Sequence, residues 1–237
     1  MTSTSPILRS SPIAAFSFAA TLFLFSGAAG LLYQVVWTRK LVLLFGTTSF
    51  AVSTVLSVFF LGLALGSIWG GRIADRVQRP LRWYGIVELG IALWAVVFLL
   101  AIGLGESAVV AILKVAGGAH LLGIALRTLM AAAFLIVPVT LMGATLPLLA
   151  KFVTRGPVSA ARIGWLYSIN TIGAVLGCSA AGFALLPALG YTRATLVGAA
   201  INLVVGVAAL AVDRPSRASG LDDARELGSR LLDRAGD

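Results

Sequence analysis

Long apolar stretches separated by short polar ones run through this chain from about position 14 to position 212. A bilayer core of roughly 30 Å requires about 20 apolar residues at 1.5 Å of rise each. Six segments reach that length: about 14 to 37, 50 to 70, 83 to 104, 121 to 142, 163 to 186 and 192 to 212. With no water to satisfy their backbones, such segments must be helices. The pattern therefore predicts an all-α polytopic membrane protein with six transmembrane helices. It divides the chain into a leader over 1 to 13, a membrane domain over 14 to 212 and a tail over 213 to 237. The first apolar stretch lacks a convincing small-residue cleavage site, so it reads as a retained span and not a signal peptide. Between the third and fourth segments, GESAVVAILKVAGGA is too short and too interrupted to span, and predicts an interfacial helix on the outer face.

Composition agrees with this class: 59% of residues are hydrophobic and 11% charged, at a mean hydropathy of +1.00, which excludes a soluble globule. The net charge of +9 would suggest nucleic acid if the basic residues formed a patch. Instead they sort by side of the membrane. Arg9, Arg72, Arg76, Arg79, Arg82, Lys151, Arg155 and Arg162 flank one side, against Arg39, Lys40, Lys114 and Arg193 on the other. The tail adds Arg214, Arg217, Arg225, Arg230 and Arg234 to the richer side. The positive-inside rule then puts both termini in the cytoplasm, and no nucleic-acid partner is expected. The single cysteine, Cys178, excludes a disulfide framework and a thiolate metal cluster. No metal or other cofactor is expected.

Small residues recur at helical spacing. Gly62, Gly66 and Gly70 align on one face of the second predicted helix, and Gly173, Gly177 and Ala181 on one face of the fifth. Close helix packing accounts for such faces, and a surface on which helices rock during transport is the functional alternative. Pro138 and Pro147 predict a kink or break late in the fourth helix, with the segment around Leu148 running towards the cytoplasmic surface.

Several of these segments carry a resemblance. GGRIADRVQRP, from Gly70 to Pro80, resembles the loop between the second and third helices of major facilitator superfamily transporters, with Gly71, Asp75, Arg76 and Arg79 matching and Gln78 replacing a later glycine. LLPALGYTRATLVGAAINLVVGVAAL resembles the corner between the fifth and sixth helices of that superfamily. A closer similarity is to the membrane domain of the bacterial fused spermidine synthase-like proteins. It rests on SGAAGLLYQVVWTR, LGLALGSIWGGRIADR, LMGATLPLLAKF and IGWLYSINTIGAVLGCSAAGFALLPALG, occurring in that order. The resemblance implies a major facilitator-like half bundle in a bacterial inner membrane. It also implies a gating-turn role for Gly71, Asp75, Arg76 and Arg79, for which a topogenic basic loop with one compensating carboxylate is the alternative reading. The soluble aminopropyltransferase-like domain that usually follows in that family, and its glycine-rich nucleoside-binding turn, have no counterpart in this sequence. No synthase chemistry is expected in this chain. A second departure is Gln34, where the family pattern has an acid after the tyrosine matched by Tyr33.

Only two full charges fall well inside the predicted spans, Glu88 and Arg127. Each costs on the order of 2.5 to 3.5 kcal/mol facing lipid at mid-helix, so both are expected to face protein or water. Glu88 lies about 8 Å in from the cytoplasmic side and Arg127 about 9 Å in from the other, by helix rise. A direct ion pair is therefore not expected. Arg127 shares its depth with Tyr33, Gln34 and Trp37. In a major facilitator half the first and fourth helices border a central cavity, so the resemblance implies one polar cluster of these four residues. That cluster reads either as a former cation or proton site that lost its carboxylate at Gln34, or as a helix clamp. Asn170, beside Tyr167 and Thr171, fits a cavity lining or a bond across helices, and the second is expected. Asn202 has the same two readings. His120 reads as interfacial. In the tail, Leu221, Ala224, Leu227 and Leu231 follow Asp222 and Asp223 at helical spacing, which fits a short amphipathic helix or a mobile tail.

Two functions fit. One is a non-catalytic membrane anchor or scaffold for a separate synthase-like or other subunit. The other is a small transporter of a polyamine-like or other solute, working as a homodimer because a half bundle cannot enclose a two-half pathway.

Overall fold

The computed structural model describes residues 12–45, 49–115, 120–154 and 160–213, with side chains over 13–42, 52–101, 129, 132–154 and 160–213. Most of the leader, the interhelical positions 155 to 159 and the tail beyond Asp213, including its amphipathic pattern, lie outside the described residues. So do the side chains of Lys114, His120 and Arg127.

Six α-helices occupy the described residues: α1 Pro12–Phe45, α2 Ser49–Arg76, α3 Pro80–Val115, α4 His120–Val153, α5 Ala160–Ala180 and α6 Leu186–Val212, with a π-helical turn at Ala181–Leu185 between the last two. Pro12 and Pro80 start their helices, where a missing N–H costs nothing. Arg76 closes α2, where a cation complements the helix dipole.

Among the described residues, five helical runs are long and apolar enough to cross a bilayer: Ile13–Val42, Val52–Arg76, Pro80–Ala101, Ala132–Val153 and Ala160–Val212. The last, 53 residues long, covers both the fifth and the sixth predicted segments. It is interrupted at Gly190, whose φ of 70° and ψ of 178° leave the helix for a conformation that a β-carbon disfavours.

Two expectations are corrected. No separate interfacial helix follows α3, which continues unbroken to Val115 as a helix of 36 residues. Gly103, Gly105 and Ser107 lower helix propensity without removing a hydrogen bond, so nothing there terminates it. Of the kink or break expected at Pro138 and Pro147, the break is absent: α4 runs through both prolines for 34 residues, with Leu148 and Leu149 buried.

Interhelical contacts fix the directions. Gly173 lies against Leu24 and Gly177 against Ala28, so α5 runs parallel to α1. Gly62 meets Val139, Gly66 meets Thr140 and Gly143, and Gly70 meets Ala144, so α2 and α4 are parallel as well. The approach is close enough that a β-carbon on Gly177 would collide with the Ala28 carbonyl and one on Gly66 with that of Thr140. These glycines let backbones touch. In contrast, α6 runs antiparallel to α3, with Gly206 against Gly85 while Asn202 meets Glu88. Helices α3 and α4 are also antiparallel, with Gly90 against Leu141 and Trp94 against Phe134.

The five most extensive pairings are α2 with α4, α1 with α5, α3 with α6, α3 with α4, and α1 with α6. Exchanging α1, α2 and α3 for α4, α5 and α6 returns the same set. The bundle interior divides into two apolar clusters stacked along the helices. One holds Tyr33, Trp37, Ile91, Phe98 and Leu135, the other Phe23, Leu81, Tyr84, Leu148 and Val205.

Candidate functional site

Between those two clusters sits a polar layer. Ser26 of α1, Glu88 of α3 and Asn202 of α6 are all buried, Glu88 completely. Ser26 Oγ donates to Glu88 Oε1 across 2.5 Å, and Asn202 Nδ2 donates to Glu88 Oε2 across 2.5 Å. One turn earlier on α3, Tyr84 Oη reaches the Leu22 carbonyl at 3.4 Å. Tyr33 packs its ring on Gly198, one turn before Asn202, and only a residue without a side chain leaves it that space. Tyr33 Oη and Asn202 Oδ1 are buried and find no hydrogen-bond partner. The layer ties three helices through one carboxyl group, in a setting where water cannot replace its donors.

A second group of polar side chains lies on a different face of α1. Gln34, Thr38 and Arg39 line a partly open groove of about 590 Å³, walled by Leu31, Val35, Val42, Leu56 of α2 and Cys178 of α5. Thr38 Oγ1 is buried there without a hydrogen-bond partner.

The four residues grouped by the resemblance are thus divided. Tyr33 and Trp37, one turn apart, point inward and stack with ring centroids 4.6 Å apart; Trp37 stacks in turn on Phe98 at 4.6 Å. Gln34, about 100° around the helix from Tyr33, joins the groove instead. Arg127 lies in α4 at a position whose side chain is outside the described residues. Glu88 faces protein, as its charge requires, and Ser26 and Asn202 are its partners. Asn170 packs over Gly27 of α1, where its carbonyl and side-chain oxygens occupy the space a β-carbon would need.

In the last turns of α2, Asp75 and Arg76 are exposed and Gly71 has no neighbour where a β-carbon would stand, so three of the four gating-turn residues are helical and only Arg79 lies in the turn. Arg79 does engage a partner. Its Nε lies 3.0 Å from Asp213 Oδ2, and its Nη2 donates to the Asp213 carbonyl, tying this turn to the end of α6. Asp213, the first residue of the tail by the hydropathy pattern, is 2% exposed and packs against this turn.

One further contact follows from chemistry at Pro138. Proline has no N–H, so the Phe134 carbonyl four residues earlier loses its helical partner. Trp94 Nε1 of α3 donates to that carbonyl at 3.1 Å.

Compared with known proteins, the chain matches no protein-family model, no curated protein and no solved structure.

Proposed function

We propose that this protein is a non-catalytic integral membrane module of the spermidine synthase-like kind, acting as an anchor or scaffold for a separate subunit. In this reading the helices form six spans of a major facilitator-like half bundle in a bacterial inner membrane, with both termini cytoplasmic. The observation that carries it is the groove beside Gln34, Thr38 and Arg39, which α1, α2 and α5 wall on one side only. Its walls are mostly apolar, with Gln34, Thr38 and Arg39 towards the end of α1 that the charge pattern assigns to the outer side. A partly open apolar groove edged by a few polar groups suits a second subunit seated there. The basic turn and the segment order support the family assignment, and the exchange of α1–α3 with α4–α6 supports the half-bundle architecture, because inverted three-helix repeats build transporter halves.

That same exchange favours a second reading, a homodimeric transporter of a small polyamine-like solute in which two grooves face each other. Extraction of the tagged protein into lipid particles from its native membrane, followed by mass measurement, separates the two. A fixed-ratio complex with a different subunit supports the scaffold. A mass of two copies, with thermal stabilisation by a polyamine, supports the transporter. A single copy alone contradicts both.

A further inference from the structure

Glu88 is completely buried inside a bundle of apolar helices, and among the described residues no basic side chain lies within ion-pair distance of it. An uncompensated carboxylate at such a place is costly. The groups facing it are Ser26 and Tyr33 from α1, Tyr84 from α3 and Asn202 from α6; among the described residues no further charged or titratable side chain does so. Both carboxyl oxygens already have a donor at 2.5 Å. A divalent metal ion would need several more oxygen ligands at that point, whereas a proton needs no added volume.

Asn202 presents its NH₂ to Glu88 and leaves Oδ1 buried without a partner. A half-turn of an amide exchanges a donor for an acceptor in nearly the same envelope. The residue therefore has the atoms to serve Glu88 in either state: Nδ2 for a carboxylate, Oδ1 for a carboxylic acid. Tyr33, one turn away against Gly198, offers a hydroxyl that can donate or accept.

We propose that Glu88 is a reversible proton-binding site, read out by Asn202. A proton from water forms an O–H bond at Oε2, no electrons are exchanged, and the Asn202 amide turns so that Oδ1 accepts that O–H. The proton removes a charge from the bundle interior and changes which atom of α6 holds α3, at the layer where the two apolar clusters meet.

Infrared difference spectroscopy of the full chain in lipid nanodiscs, titrated from about pH 5 to about pH 9, tests this. The expected result is a protonated-carboxyl band that fades as pH rises and that is missing from Glu88→Gln. Ser26→Ala, which keeps the carboxyl and removes one donor, retains the band and moves the pH at which it fades by roughly tenfold in proton concentration. Exchanging sodium for a bulky organic cation at fixed pH leaves the band unaltered. A band constant over the range, a band that persists in Glu88→Gln, or one that follows sodium and not pH overturns the proposal; the last assigns the site to an alkali metal ion.

Discussion

Asn202 on α6 donates its side-chain N–H to Glu88 on α3 across 2.5 Å, joining residues 114 positions apart in sequence inside the bundle. Ser26 completes the bond to α1. A polar atom in such an interior is expensive to leave unpaired, so the layer holds its three helices in one register.

Removing one donor without adding volume measures that role. Asn202→Ala is expected to destabilise the protein by about 1 to 3 kcal/mol, and Ser26→Ala by the lower end of that range. Thermal unfolding in nanodiscs is the measurement. Unchanged stability in both variants would show that the layer does not hold the helices.

Trp94 and Pro138 are predicted to be energetically coupled through the Phe134 carbonyl. Trp94→Phe alone leaves that carbonyl unpaired and costs about 1 to 2 kcal/mol. In a Pro138→Ala background the restored backbone N–H takes the carbonyl, and Trp94→Phe then costs markedly less. A double-mutant cycle reads the difference, and strict additivity would contradict the assignment.

Glycines that look alike in sequence separate sharply by what stands beside them. Gly177→Leu forces a side chain into the Ala28 backbone and is expected to cost more than about 3 kcal/mol or prevent folding. Gly71→Ala meets nothing within 4 Å and is expected to be neutral or stabilising by up to about 1 kcal/mol. Yield of monodisperse protein and unfolding temperature distinguish them.

The apolar segments and the glycine faces were legible because both are local. Hydropathy over about 20 residues sets a span, and a four-residue rhythm sets a face. What stayed hidden depends on residues distant in sequence. Glu88 could be recognised as needing protein or water, but its donors lie 62 and 114 positions away, and Asn202 carried no local mark beyond polarity. Asp213 looked like the start of a tail until α6 brought it to Arg79, 134 positions earlier. The division of Tyr33 and Trp37 from Gln34 follows from helix rotation, and depth along the axis alone could not reveal it. The uninterrupted α4 has a tertiary cause at Pro138, since the carbonyl that proline strands is taken by a tryptophan from α3.

Arg79 and Asp213 make a further point of control at the end of α6. Because Asp213 is buried while Arg79 is partly exposed, Arg79→Ala is expected to cost about 1 to 3 kcal/mol. Its effect should be local. Hydrogen exchange over Ala209 to Asp213 should accelerate while the middle of α3 stays protected, and uniform loss of protection would contradict a local clamp.

In the scaffold reading, another subunit covers the groove in the native membrane. Cys178, the chain's only cysteine, lines that groove and is exposed in the isolated chain. A membrane-permeant maleimide applied to native membranes, and then to the purified chain, tests the point directly. The account predicts that Cys178 is protected in native membranes and labelled once the chain stands alone; equal labelling in both would contradict it.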